Sequence, residues 1–216
     1  MPISLVAFGG TFDPLHWGHI AMLKSVVRVP SIETVRIIPN RMPTHKGPCV
    51  ASSKDRLAML AAMQGQWPNR VDGSVYYQID TQELDRSEDS YTYLTVAALD
   101  RELKGPFYRL LGSDSLFSLH TWKEVGRVLE KVHFLVAARS EFDRQEWQRY
   151  YQRYLNGVPE SQFVFLDHQI NSVASREIRK GLGDASKRIG LERQVPGPVA
   201  QYIQRHGLYQ GHKEDE

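Results

Sequence analysis

Residues 3–28 read ISLVAFGGTFDPLHWGHIAMLKSVVR, and the rest of the chain is organised around them. Ile3 to Phe8 is an apolar run too short for a helix and closed by Gly9 and Gly10, the pattern of a buried strand. The glycines let the backbone turn sharply and come close to a ligand. Asp13-Pro14 follows as a turn, and Ile20, Leu23, Val26 and Val27 then recur at helical spacing. The spacing predicts a helix that begins between His16 and Gly18, with its free N–H groups and positive dipole end facing the glycine turn. Such an end is an anion site by construction. His16 and His19, at i and i+3, fall on one face of that helix, where a phosphate would lie.

Two familiar phosphate loops are excluded. No Gly-Lys-Ser/Thr follows the glycines, and the Gly-x-Gly-x-x-Gly spacing is absent. Two histidines near a helix start are also common as plain surface residues, and a zinc pair would need partners at spacings this chain lacks. The stretch 9–19, GGTFDPLHWGH, instead resembles the signature of the HxGH nucleotidylyltransferase superfamily, and the chain as a whole is similar to bacterial nicotinate-mononucleotide adenylyltransferases.

Composition sets the frame. A chain of 216 residues suits one α/β domain, expected over 1–209, with a polar tail at 210–216 that reads as disordered. A formal charge of +2 and 24% charged residues describe an ordinary soluble protein with no expected nucleic-acid partner. The single cysteine, Cys49, excludes an intrachain disulfide. MPISLVAF lacks a basic n-region and cleavage site, and no apolar run approaches membrane length. A cytoplasmic location is expected, without a membrane partner.

Downstream, short apolar runs alternate with helical patterns. Strands are expected at Thr34–Ile38, Val75–Ile79, Phe107–Leu111, Val132–Ala138 and Gln162–Leu166. Helices are expected at Ser52–Gly65, from Ser90 through Leu103, at 143–156 and from Pro196 to His206. About six strand–helix alternations imply an α/β fold, a Rossmann-like doubly wound, mainly parallel sheet with helices on both faces. Ligands then bind outside the carboxyl ends of the strands. The 143–156 helix is a candidate subunit contact in a homo-oligomer.

Four further stretches bear on chemistry. NRMPTHKGP, 40–48, is a loop carrying Arg41, His45 and Lys46, either a solvated turn or a basic flap over polyphosphate. Ser90 reads as a helix cap. LLGSDSLFSLHTW, 110–122, repeats the logic of the first strand, with Gly112 allowing close approach and Asp114 able to accept from a ribose. SVASREIR, 172–179, opens a helix with arginines on it.

The resemblance assigns these pieces. It implies ATP binding by Gly9, Gly10, Thr11, Phe12, His16, His19, Gly112, Asp114, Ser175, Arg176 and Arg179. Arg176 departs from the family's usual threonine. It further implies nicotinate-nucleotide binding by Tyr91, Thr92, Trp122, Arg139 and Lys46, with the indole stacking on the pyridine. Lys123 stands where relatives vary. The implied reaction is attack of the 5′-phosphate of nicotinate mononucleotide on the α-phosphorus of ATP, a step of NAD biosynthesis. His16, His19, Lys46 and Arg179 are its catalytic residues, Mg²⁺ travels with ATP, and no protein metal site is expected. Rival acceptors are amidated nicotinamide mononucleotide and phosphopantetheine. Rival classes are a non-catalytic nucleotide sensor and a metal hydrolase built on Asp13, His16 and His19.

Overall fold

The structure, a computed structural model, describes residues 4–42, 48–139, 142–170, 174–183, 190 and 193–212, with backbone alone at 139 and 167–170. Six strands form one sheet: β1 (Leu5–Gly10), β2 (Thr34–Pro39), β3 (Tyr76–Ile79), β4 (Phe107–Gly112), β5 (Val132–Arg139) and β6 (Phe163–Ile170). The helices are α1 (Trp17–Val26), α2 (Ser53–Ala61), α3 (Thr92–Leu103), α4 (Ser113–Leu116), α5 (Val125–Leu129), α6 (Arg144–Tyr154), α7 (Ser175–Gly183) and α8 (Gly197–His206). Every strand pair is parallel.

Alternating residues of the buried strands feed two cores, as the two-residue period of a strand requires. Val6 and Phe8 of β1, with Leu135 and Ala137 of β5, pack against Ile20, Leu23, Met59, Leu60, Ile178 and Ile203 from α1, α2, α7 and α8. Ala7, Phe134 and Val136 face Val96, Leu99, Val128 and Trp147 from α3, α5 and α6. The sheet is therefore covered on both faces, the doubly wound arrangement.

Strand order is β3-β2-β1-β4-β5-β6. The chain builds outward from β1 to β3, then returns to the other side of β1, so the order reverses between β1 and β4. Register shows what this does. β1 pairs with β2 at six positions from Leu5 to Gly10, but with β4 only at Val6–Tyr108 and Ala7–Arg109. Beyond those positions β1 and β4 part, and the sheet opens at its carboxyl edge between Gly9-Gly10 and Gly112.

Several local expectations shift. β1 includes both glycines, which were expected to close it. α2 stops at Ala61 rather than Gly65. α3 is capped by Tyr91, not Ser90, because the Ser90 hydroxyl accepts the Arg41 backbone N–H at 2.9 Å. α4 begins at Ser113, with Gly112 as its N-cap. β6 runs to Ile170, four residues past its expected end. Residues 43–47 and 213–216, including His45, Lys46 and most of the expected tail, lie outside the described residues.

Candidate active site

The turn after β1 is fixed by contacts from distant parts of the chain. Asp13 is buried, and its carboxylate accepts the Val50 N–H at 2.8 Å, the Ala51 N–H at 3.1 Å and the Tyr209 hydroxyl at 2.7 Å. Its carbonyl accepts from Arg179 Nη1 at 2.7 Å, and the Ser175 hydroxyl donates to the Pro14 carbonyl at 3.3 Å. The Asp13-Pro14 peptide is cis. The two expected phosphate motifs are thus in direct contact, with the start of α7 docked on the turn that launches α1. Burial beside the Asp13 carboxylate drives the Tyr209 phenol well above its ordinary pKa.

Arg56 secures the other side. Fully buried on α2, its guanidinium donates to the carbonyls of Thr11 at 2.8 Å, Asn40 at 2.7 Å and Arg41 at 3.2 Å, and to the Ser53 hydroxyl at 3.0 Å. These carbonyls leave the sheet edge with no ladder partner, and a rigid five-donor fork satisfies them together. The sequence pattern assigns residues 52–65 only a helix and gives Arg56 no role; its signal is an arginine on the inner face of that helix.

His16 is the N-cap of α1 and His19 its third residue. The His19 Nδ1 accepts the His16 backbone N–H at 3.2 Å, so the ring is neutral in this arrangement and Nε2 carries its proton. The two imidazoles stack, with centroids 3.7 Å apart. Phe12 packs edge-on against His19 at 5.0 Å. Phe12 is itself core, 1% exposed, at a positive φ of 51°. Its ring folds under Gly10, where a Cβ would lie 3.0 Å from it. Of the expected ATP contacts, then, Phe12 can offer a ligand only its backbone.

Across the opening, Gly112 ends β4, with Ser113 buried and Asp114 exposed just beyond. Tyr91 and Thr92 start α3, and the Lys123 ammonium sits 4.3 Å from the Tyr91 ring centroid, over its face. Trp122 is half-buried and covered by the Arg109 guanidinium at 5.6 Å. The structure therefore joins Tyr91, Thr92, Trp122 and Lys123 in one group on the α3 side of the sheet. Arg41, expected on a free basic loop, donates instead to the Ser87 carbonyl at 2.5 Å. Arg139 ends β5, and Arg176 is exposed in the first turn of α7. Among the described residues no group of three or more His, Cys, Asp and Glu is placed to hold a metal. The Asp13 carboxylate that a hydrolase reading would use already accepts three hydrogen bonds from within the protein.

A six-stranded parallel sheet opened at its reversal point, with a glycine turn, a helix start and two imidazoles at the opening, defines a nucleotide-binding α/β protein. Residues 7–181 match the sequence profile of the family described as Cytidylyltransferase-like. A probable nicotinate-nucleotide adenylyltransferase of Pectobacterium atrosepticum is 32% identical, over 97% of this chain and 100% of its own length. One of Neisseria gonorrhoeae is 30% identical over 94% and 96%. The chain belongs to the cytidylyltransferase-like family and, within it, to the nicotinate-nucleotide adenylyltransferases. The fold agrees: Plasmodium falciparum nicotinic acid mononucleotide adenylyltransferase, solved with NaAD, superposes with a TM-score of 0.78 at 19% identity, over 98% of this chain and 100% of that one.

Proposed function

We propose that this chain transfers the AMP of ATP to nicotinate mononucleotide, giving nicotinate adenine dinucleotide and pyrophosphate. An oxygen of the acceptor's 5′-phosphate bonds to the α-phosphorus as the bond to the β-phosphoryl oxygen breaks, and that oxygen leaves with the pyrophosphate. The attacking oxygen is already anionic, so no protein nucleophile is needed. The protein has to align two phosphates and neutralise charge that builds as the bond breaks.

The observation that carries this reading is the opening between β1 and β4, with the Gly9–His19 turn on one lip and the Tyr91, Thr92, Trp122 group beside the other. In the proposal His16 and the Nε2–H of His19 meet the α- and β-phosphates, with the backbone of Gly9, Gly10 and Thr11. Arg179, Arg176 and Lys46 face the leaving pyrophosphate, and Ser175 orients the start of α7. Gly112 and Asp114 meet the adenosine, while Tyr91, Thr92, Trp122 and Arg139 hold the nicotinate nucleotide. Mg²⁺ enters as part of the MgATP substrate. No helix among the described residues is long and apolar enough to cross a membrane, and we place the reaction in the cytoplasm.

Pyrophosphate release from ATP, measured side by side with nicotinate mononucleotide, its amide and phosphopantetheine, tests the reading. Turnover is expected with the acid foremost. Release with phosphopantetheine alone, or with none of the three, would contradict it.

A further inference from the structure

Arg109 is a cation in an otherwise apolar strand, and nothing in the expected reaction uses it. It stands on β4 opposite Ala7, at the last position where β4 pairs with β1. Its guanidinium reaches into the slot where the two strands part. A Cβ added to Gly9 would lie 2.8 Å from Nη2 and 3.3 Å from Nη1, so the glycine is what leaves room for it. On its other side it covers the Trp122 indole.

What surrounds it does not neutralise it. The Arg109 Nε is shut off from solvent with no hydrogen-bond acceptor. Among the described residues no carboxylate forms an ion pair with it. The charge that acts on it is Glu83, a buried carboxylate already bonded to the Thr95 hydroxyl at 2.5 Å. Burial works against the charged form of Arg109, and Glu83 only partly offsets this. An arginine remains protonated even so. A half-buried guanidinium whose Nε has no acceptor, at a substrate opening, has capacity for an anion that arrives.

The position narrows which anion. The phosphates have the helix start and imidazoles of Gly9–His19. Arg109 shares its indole with the ring expected to stack there, and a carboxylate on such a ring comes within reach of a planar fork that pairs carboxylates through two parallel bonds.

We propose that Arg109 is the specificity-determining residue of the acceptor site, its guanidinium recognising the carboxylate of a pyridine ring held against Trp122. This rests on the adenylyltransferase reading above. It makes acid-over-amide preference a property of one half-buried side chain, with Lys123 at the exposed rim contributing little.

The experiment compares kcat/KM for nicotinate mononucleotide and its amide, at saturating ATP, in the wild type, Arg109→Met, Arg109→Lys and Lys123→Ala. For Arg109→Met the acid is expected to lose on the order of 10–100-fold, the range for one charge-assisted pair, mainly through KM, while the amide changes little. Arg109→Lys should recover part of the loss, and Lys123→Ala should leave the ratio nearly intact. An active wild type whose acid-to-amide ratio survives Arg109→Met, or a variant losing both acceptors equally, overturns the assignment alone. Wild-type inactivity toward both overturns the adenylyltransferase reading and the assignment with it. Should Arg109→Met not fold, a crystal of the wild type with nicotinate mononucleotide decides: the carboxylate on Arg109 supports the proposal, and a carboxylate out of its reach overturns it.

Discussion

The two sides of the opening are built in different ways. On the β1 side, long-range hydrogen bonds hold the backbone: Asp13 collects Val50, Ala51, Tyr209 and Arg179, while Arg56 gathers three carbonyls. On the β4 side, side chains meet by packing and charge, with Arg109 on Trp122 and Lys123 on Tyr91. A framework of backbone groups suits the part of the reaction any adenylyl transfer shares. A set of exchangeable side chains suits the part that selects the acceptor, since one substitution there alters recognition without moving the frame.

That contrast can be broken on either side. His19→Ala should cost on the order of 10²–10³ in kcat, the range for losing one transition-state donor. The variant should still fold, because His19 is half-buried, and unchanged turnover would remove His19 from the reaction. Arg56→Met strands buried carbonyls and should destabilise the protein by about 2–4 kcal/mol in chemical denaturation. A midpoint equal to that of the wild type would mean the pin is dispensable.

Smaller effects sharpen the picture. Trp122→Ala should raise KM for the acceptor by roughly 3–10-fold, as loss of one aromatic contact does, with KM for ATP nearly constant. Equal rises for both would erase the division between the two sides. Tyr209→Phe removes a hydrogen bond to Asp13 and should cost about 1 kcal/mol. It also carries a pH signature. The Tyr209 pKa is raised by folding, so its contribution is fully present below the unfolded phenol value of about 10 and is lost as pH climbs above it. Wild-type stability should therefore fall more steeply than that of Tyr209→Phe above that pH. Parallel alkaline limbs would rule out the linkage.

Much of this was legible in the sequence because its signals are local. β1, β2 and β4 are apolar runs ended by Gly or Pro, and the other three strands show as short apolar or alternating stretches, so all six were found. The i, i+3 spacing likewise pairs His16 with His19, although His16 is the N-cap of α1 and not within it. β6 was read short because Asp167, His168 and Gln169 are polar, and an edge strand tolerates polar residues that a central one does not. Ser90 was assigned to a cap by residue type, whereas a partner 49 positions away, Arg41, claims its hydroxyl. Arg56, Arg109 and Tyr209 escaped for the same reason: their partners are distant in sequence. Phe12 sits inside a recognised motif, and only the structure shows its ring turned into the core.

One crystal structure, of the chain with nicotinate adenine dinucleotide bound, tests both sides together. The pyrophosphate bridge is expected within hydrogen-bond reach of His16 and His19, with the pyridine ring along Trp122. A dinucleotide lying outside the opening between β1 and β4, or with its bridge remote from both imidazoles, would contradict the account.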